Sequence, residues 1–233
     1  SLKRSDVDLQ QEVIHSIRTC ELPAKIRKQY TDLEELMLFE CDGKTMATMN
    51  TMTSFLWSRQ LASGIMDGEI ISNHKFKLLD EVLEELNKEP IIIWASYIPE
   101  ILHLEKHLKS AGYKTGSIYG GTDKPDREVK RKLFQSGKYD VLVINPEVFK
   151  YGTDLSRSKT MIWFSLPLSA ETYEQARDRS VKIGSTDSLL NIYLCVEDTI
   201  DLEVYAMKDR KTSRSGFNHT IIKNIRKRKG IFL

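Results

Sequence analysis

The pattern of hydrophobic and polar positions changes near residue 73. From there on, short apolar runs typical of buried strands alternate with amphipathic stretches at helical spacing. The pattern predicts strands over 91–96, 114–119, 140–145, 160–165 and 189–195. It predicts helices over 76–87, 98–111, 125–134, 170–180 and 199–208. Apolar strands that alternate with amphipathic helices indicate an α/β fold, with a mainly parallel sheet covered on both faces and ligands at the carboxyl ends of its strands.

The first 72 residues lack this alternation. Helical spacing predicts helices over 10–19, 32–39 and 50–66, with an extended stretch over 25–30. We therefore predict three parts: an N-terminal helical arm or linker over 1–72, an α/β domain over 73–211, and a basic tail over 212–233. Five cations fall within seven residues of the tail, at Lys223, Arg226, Lys227, Arg228 and Lys229. Such a run is either a solvated end or a patch that contacts phosphates.

The overall charge excludes a protein that binds nucleic acid through a uniformly basic surface. The formal net charge is only +2, so any contact with nucleic acid must depend on local patches. The 3 cysteines are far apart and odd in number, which argues for a reducing compartment, and we expect a cytoplasmic protein. No apolar run approaches the roughly 20 residues of a membrane helix, so we expect no membrane contact. The chain opens with Ser1 instead of Met, which suggests a processed chain or a fragment.

Two segments that follow predicted strands carry groups suited to phosphates. Ser96 ends the segment Ile-Ile-Ile-Trp-Ala-Ser, and Gly120-Gly121-Thr122 follows the next strand, with Arg127 downstream. Glycine amides at close range and a hydroxyl can hold a phosphate, although Gly-Gly turns are common.

A further loop and a helix carry charged candidates. Gly152 and Asp154 lie after the strand over 140–145, where a carboxylate can hold an arginine or a ribose hydroxyl, or can simply stabilise a turn. Gln175, Arg179 and Lys182 are spaced by four and three residues, so they share one face of the predicted helix. Their neighbours Arg177 and Asp178 point elsewhere.

In this order and at this spacing, the three segments resemble motifs IV, V and VI of superfamily-two helicases, especially the Swi/Snf-like branch of double-stranded-DNA translocases. Motif VI of that branch reads Gln-Ala-x-Asp-Arg-x-His-Arg-Ile-Gly-Gln. The matching residues here are Gln175, Ala176, Asp178, Arg179, Ile183 and Gly184. The resemblance extends from Leu22-Pro-Ala-Lys-Ile to Thr199-Ile-Asp201 and so covers most of the chain.

The resemblance implies a three-layer RecA-like lobe that works with a first, ATP-binding lobe. ATP and Mg²⁺ are held mainly by that first lobe, and the second lobe directs arginines toward the γ-phosphate. By resemblance, Arg179 is the arginine finger, Lys182 is the second candidate and Gln175 organises the interface. Gly152 and Asp154 couple the nucleotide to the nucleic acid. The residues implied to touch phosphates of DNA, expected to be double-stranded, are Ser96, Gly121 and Thr122.

Departures from the family pattern keep other interpretations open. Lys182 stands where the motif has a second arginine, and Ser185 replaces its closing glutamine. They indicate a divergent member of viral or bacterial type, and they support an alternative in which a degenerate lobe binds nucleic acid or protein without ATP turnover. An unrelated α/β enzyme that binds a nucleotide or sugar is a third interpretation. The sequence contains no P-loop and no Walker-B acidic pair, so we expect negligible ATP hydrolysis by the isolated chain.

Overall fold

Strands and helices alternate through residues 12–41, 43–148, 155–179 and 188–208, the part of the chain that this computed structural model describes. The strands are β1 Val13–Cys20, β2 Leu38–Cys41, β3 Lys44–Ala47, β4 Ile65–Met66, β5 Glu69–Ile70, β6 Ile91–Trp94, β7 Thr115–Ile118, β8 Val141–Ile144, β9 Thr160–Trp163 and β10 Leu189–Val196. The helices are α1 Ala24–Leu36, α2 Thr51–Ser63, α3 His74–Glu85, α4 Ile98–Ser110, α5 Lys124–Gln135, α6 Ala170–Arg177 and α7 Ile200–Met207.

Six of the strands form one sheet in the order β1-β10-β9-β6-β8-β7, and every neighbouring pair in it is parallel. The carboxyl ends of these strands therefore meet at one edge of the sheet, called here the carboxyl edge. Two small antiparallel hairpins, β2-β3 and β4-β5, lie outside this sheet.

The core lies in two layers because successive side chains of a strand point to opposite faces. Ile92 and Trp94 of β6 pack in one apolar cluster together with residues of α2, α5, α6 and α7. Ile91 and Ile93 pack in the other, with residues of α3 and α4. All four side chains are fully buried. The three-layer α/β fold predicted from the sequence is thus confirmed, and each strand and helix predicted from residue 73 onward is present with ends shifted by a few residues.

The helix predicted over 10–19 is wrong for its described part. Residues 13–20 form β1, which pairs along its whole length with β10 at the edge of the sheet. Val13, Ile17 and Cys20 have a helical spacing, but tertiary pairing overrides that local pattern. The β-branched residues of this stretch also favour a strand. β1 belongs to the sheet, which the predicted division of the chain at residue 72 did not foresee.

The extended stretch predicted over 25–30 is also wrong, because these residues belong to α1. Ile26, Tyr30 and Leu33 are buried on one face of this helix, at spacings of four and three. α1 ends at Leu36, where Met37 adopts a left-handed conformation with φ 57°, so only the first part of the helix predicted over 32–39 is correct.

The helix predicted over 50–66 is confirmed over Thr51–Ser63 as α2, whereas Ile65–Met66 form β4, and the ends of α2 have clear causes. The side chain of Asn50 accepts a hydrogen bond from the amide of Met52 and so caps the first turn. Gly64 ends the helix with φ 79°, a conformation that side chains with a Cβ rarely adopt. No helix among the described residues combines the length and apolar character needed to cross a lipid bilayer.

Candidate functional site

Ser96 lies directly beyond β6 at the carboxyl edge, and its polar groups are held by the two neighbouring strands. Its amide donates to the hydroxyl oxygen of Ser165 at 2.7 Å, and its own hydroxyl donates to the Ser165 carbonyl at 3.2 Å. On the other side, the amide group of Asn145 donates to the Ser96 carbonyl at 3.2 Å. Because the hydroxyl hydrogen of Ser96 is already engaged, a donated bond to a phosphate requires release of Ser165.

A buried carboxylate lies behind Ser165. Glu100, in the first turn of α4, accepts the Ser165 hydroxyl at 2.5 Å and the Tyr97 amide at 3.3 Å through Oε2. Its side chain is almost wholly enclosed, and Oε1 has no hydrogen-bond partner among the described residues. Burial raises the pKa of Glu100, against the opposing effects of the Ser165 hydrogen bond and of the Lys75 and Arg59 charges.

Arg59 of α2 packs against the residues next to Glu100 and Ser165. Its guanidinium lies 5.0 Å from the centre of the Tyr97 ring and donates to the carbonyl of Leu166, one residue beyond Ser165. The side chain is buried, so this cation is held by an aromatic face and a carbonyl in a region largely closed to water. α2 thereby fixes the segment that leads from β9 to α6.

The turn after β7 offers free backbone donors. Among the described residues, the amides of Gly120 and Gly121 have no hydrogen-bond acceptor. The hydroxyl oxygen of Thr122 accepts the Tyr119 amide at 3.2 Å, a bond that does not use the hydroxyl hydrogen, and Thr122 is 7% exposed. Arg127 of α5 fixes the turn by donating to the carbonyls of Thr122, at 2.7 Å, and Gly120, at 3.4 Å. Backbone amides and a hydroxyl in a turn are groups that can bind an anion.

Ser96 and the Gly121–Thr122 turn lie on the same edge of the sheet, as the sequence predicted for segments that follow parallel strands. β8 separates them, and Asn145 at its end connects them. The Asn145 amide donates to the Ile118 carbonyl at 2.9 Å, while its side chain donates to the Ser96 carbonyl. Asn145 was part of the predicted strand but was not singled out, because one asparagine after an apolar run has no distinctive signal.

α6 carries the two described candidates of motif VI. Gln175 donates to Glu171 one turn earlier at 3.0 Å, and Arg179 follows the helix at intermediate exposure. The carbonyl of Arg179 accepts the amide of Leu155 at 3.1 Å. Leu155 directly follows the Gly152–Asp154 segment in the sequence, so this bond joins the end of α6 to the residue after that segment.

Arg177 is held by contacts with its own helix and with the residue that follows it. It donates to Asp178 from Nε and Nη2 at 3.2 and 3.1 Å, and its guanidinium lies 5.6 Å from the centre of the Tyr173 ring. Three other candidates, Gly152, Asp154 and Lys182, lie outside the described residues.

A buried ion pair near the carboxyl edge had no sequence signal. Lys75 of α3 donates to Asp201 of α7 at 2.5 Å, and its ammonium lies 5.3 Å from the centre of the Phe164 ring. Burial alone lowers the pKa of Lys75, but the Asp201 carboxylate outweighs it and raises this pKa above its ordinary value. The described residues contain no group of three or more histidine, cysteine or acidic side chains placed to hold a metal ion.

Comparison with known proteins defines the class of this fold and site. Residues 74–184 match the family model described as the helicase conserved C-terminal domain. The solved structure titled the C-terminal part of the Fun30 ATPase domain has the same fold, with a TM-score of 0.69. It is 14% identical in sequence, and the likeness covers 89% of this chain and 93% of that one. Residues 74–184 are therefore similar to the C-terminal domain of helicases, and the chain shares the fold of the Fun30 structure.

Curated relatives are similar to this chain over part of their length. The ATP-dependent RNA helicase DBP3 of Saccharomyces cerevisiae is 23% identical over 223 residues, which cover 82% of this chain and 42% of the relative. The ATP-dependent RNA helicase DbpA of Bacillus subtilis is 27% identical over 139 residues, 59% of this chain and 29% of the relative. The chain thus spans less than half the length of either protein.

Proposed function

We propose that this chain is the second motor lobe of an ATP-dependent helicase or translocase and that it acts with a first lobe that binds most of the ATP and Mg²⁺. The observation that carries the proposal is the bond between the Leu155 amide and the Arg179 carbonyl. It links the end of the motif VI helix to the residue after the Gly152–Asp154 segment. In this proposal the two motifs act on one nucleotide, with Arg179 as the finger and Lys182 as a second cation.

The proposed role of Arg179 is electrostatic. A guanidinium directed at the terminal phosphate stabilises the charge that develops during phosphoryl transfer, and such a finger is typically worth about 10³–10⁵ in rate. Gln175, one turn earlier on α6, is proposed to organise the face toward the first lobe. Gly152 and Asp154 are proposed to couple this site to the nucleic acid. The isolated chain is expected to hydrolyse ATP negligibly.

The proposed nucleic-acid contact is the turn after β7. Free amides at Gly120 and Gly121 and the Thr122 hydroxyl suit a backbone phosphate, which carries no sequence information. Ser96 is proposed as a contact that forms only when its bond to Ser165 opens. The motif VI pattern favours duplex DNA, whereas the relatives named as RNA helicases favour RNA as the second candidate.

The decisive experiment is ATP hydrolysis by the polypeptide with both lobes, with and without nucleic acid. We expect Arg179→Ala to lower stimulated turnover by about 100-fold or more. Arg177→Ala is the matched control from the same helix, because its guanidinium is engaged by Asp178 and Tyr173, and it should lose little activity. Equal losses in both variants, with folding intact, would remove the finger assignment.

The same assay identifies the nucleic acid. Duplex DNA, single-stranded DNA and RNA are compared at equal nucleotide concentration and fixed salt. Stimulation by duplex DNA alone supports a translocase, and stimulation by RNA alone supports the second candidate. A wild-type protein that binds nucleic acid but shows no turnover with any of them would instead support a binding module without ATP turnover.

A further inference from the structure

Four polar residues form a chain of hydrogen bonds across the carboxyl edge, through side chains and backbone groups, named here the edge network: Asn145, Ser96, Ser165 and Glu100. The network joins the ends of three neighbouring strands, β8, β6 and β9, in that spatial order. It then continues from Ser165 into the first turn of α4 through Glu100. Each bond is between residues that are far apart in sequence, so the network is a product of the sheet topology.

Each strand end in the network leads to a different part of the proposed machinery. Ser96 after β6 is a proposed nucleic-acid contact. Ser165 after β9 begins the segment that runs to α6 and so to Arg179. Asn145 after β8 begins the stretch that leads to Gly152 and Asp154, and it is bonded to the strand that precedes the Gly121–Thr122 turn.

Ser165 is the central member of the network. Ser165 is both donor and acceptor, since its hydroxyl accepts the Ser96 amide and donates to Oε2 of Glu100. Oε1 of Glu100 is buried and has no partner among the described residues. If a phosphate takes the Ser96 hydroxyl, the Ser165 carbonyl loses that donor, and the bond from the Ser96 amide to the Ser165 hydroxyl remains as the link between the two strand ends. Rearrangement between discrete hydrogen-bonded states is how packed structures transmit binding.

Burial makes such a rearrangement consequential. Ser165 is 6% exposed and Glu100 is 1% exposed, so a polar group that loses its partner there is not rescued by water. The segment after Ser165 is held in turn by Arg59 through the Leu166 carbonyl. The segment between Ser165 and α6 is short and is held in place, so a displacement of Ser165 is passed on to α6.

We infer that the edge network couples nucleic-acid binding at Ser96 to ATP hydrolysis at α6, with Ser165 as the positioning residue that transmits it. The inference rests on the proposed function. It makes Ser165 neither a catalytic residue nor a nucleic-acid contact. Its role is to make turnover depend on whether the polynucleotide is bound.

The test uses the two-lobe polypeptide and three measurements: basal turnover, turnover with saturating nucleic acid, and nucleic-acid affinity. In Ser165→Ala we expect the ratio of stimulated to basal turnover to fall by about tenfold, within the usual range of coupling between sites. Basal turnover and affinity should change by less than about threefold, because Ser165 touches neither ligand. Ser165→Thr keeps the hydroxyl and should retain most of the stimulation.

The matched control is Ser158→Ala, at the other end of β9. Ser158 is also buried, at 1% exposure, and its hydroxyl lies within hydrogen-bond distance of the carbonyls of Pro90 and Thr160, away from the carboxyl edge. Removal of this hydroxyl measures the effect of losing a buried hydrogen bond that lies outside the edge network. Unchanged stimulation in Ser165→Ala, or an equal fall in Ser158→Ala, overturns the coupling role.

The outcomes also separate the inference from the proposed function. If Arg179→Ala abolishes stimulated turnover but Ser165→Ala does not alter it, the motor lobe stands and the coupling role is wrong. If the wild type shows no stimulated turnover, both are wrong. Should Ser165→Ala fail to fold, Glu100→Gln provides the second variant, and an unaltered stimulation ratio in it counts against the network.

Discussion

Lys75 and Asp201 form an ion pair of 2.5 Å between two helices that lie 126 positions apart in the chain. The side chain of Lys75 is 1% exposed and that of Asp201 is 11% exposed. The pair joins α3 to α7 and therefore ties the helix that precedes β6 to the last described helix. Two charges held this far from water depend on each other.

Removal of one member of this pair should lower the free energy of unfolding much more than removal of both. We expect Lys75→Met to lower the free energy of unfolding by about 3–5 kcal/mol, because it leaves a buried carboxylate unpaired. The double variant Lys75→Met/Asp201→Leu should recover most of that loss. Urea denaturation of the three proteins measures the difference.

An exposed ion pair provides the control for this prediction. Arg18 and Glu85 also meet at 2.6 Å, but their side chains are 42% and 58% exposed. Arg18→Met should cost no more than about 1 kcal/mol. If the Lys75 and Arg18 variants lose similar stability, burial does not decide the strength of these pairs.

Glu100 should make stability depend on pH in a defined direction. Burial raises its pKa in the folded protein above the ordinary value of 4.5, so the folded state holds the proton more tightly than the unfolded state does. The stabilisation is complete below pH 4.5 and is lost as the pH rises through the folded-state pKa. In Glu100→Gln this loss should be absent.

The measurement is the free energy of unfolding of both proteins at a series of pH values from 4 upward. All other titrating groups are shared, so the difference between the two curves reports Glu100. Parallel curves would show that its protonation does not change on folding.

The Thr122 hydroxyl should matter for nucleic-acid affinity more than for stability. Thr122→Val keeps the shape but removes the acceptor for the Tyr119 amide and the donor offered to a phosphate. We expect affinity to fall by about fivefold to tenfold, equivalent to about one hydrogen bond. Thr122→Ser keeps both functions and should bind like the wild type. Fluorescence anisotropy at several salt concentrations tests this, and equal binding by the valine variant would exclude the turn as a contact.

Two buried tyrosines hold α6 against the sheet and should be energetically coupled. The hydroxyls of Tyr173 on α6 and Tyr193 on β10 lie 2.6 Å apart, and His15 of β1 meets the Tyr193 hydroxyl at 2.8 Å. Each single change to Phe should cost about 1–2 kcal/mol. The double variant should cost less than the sum of the two, because they share one bond. A strictly additive double-mutant cycle, measured by thermal or urea unfolding, would show that the bond contributes nothing.

Local patterns predicted the strands well where every residue of a strand is buried. Ile91–Trp94 and Val141–Ile144 are fully buried strands, and their uninterrupted apolar residues left little choice. β1 was mistaken for a helix because it is an edge strand with exposed residues such as Ile14 and Ile17, so it lacks the apolar run of a central strand. Its conformation is decided by β10, which no local pattern reveals.

The sequence predicted which loops form the candidate site, but it could not predict the hydrogen bonds between their residues. That Ser96 and Thr122 share one edge follows from the parallel topology alone. That the Ser96 hydroxyl is engaged by Ser165 depends on register between strands that are 69 positions apart. The sequence placed Glu100 on an amphipathic helix and Lys75 just before one, and a charge gives no sign in the sequence that it is buried.

The pairing of β1 with β10 also constrains how the protein is made. His15 and Tyr193 lie 178 positions apart, and the strands that carry them are partners along their full length. At the usual synthesis rate of about 5–20 residues per second, β1 leaves the ribosome roughly 10–40 s before its partner exists. During that interval Ile14 and Ile17 sit on a strand with no partner, so the growing chain is exposed to mispairing and gains from a chaperone until β10 emerges.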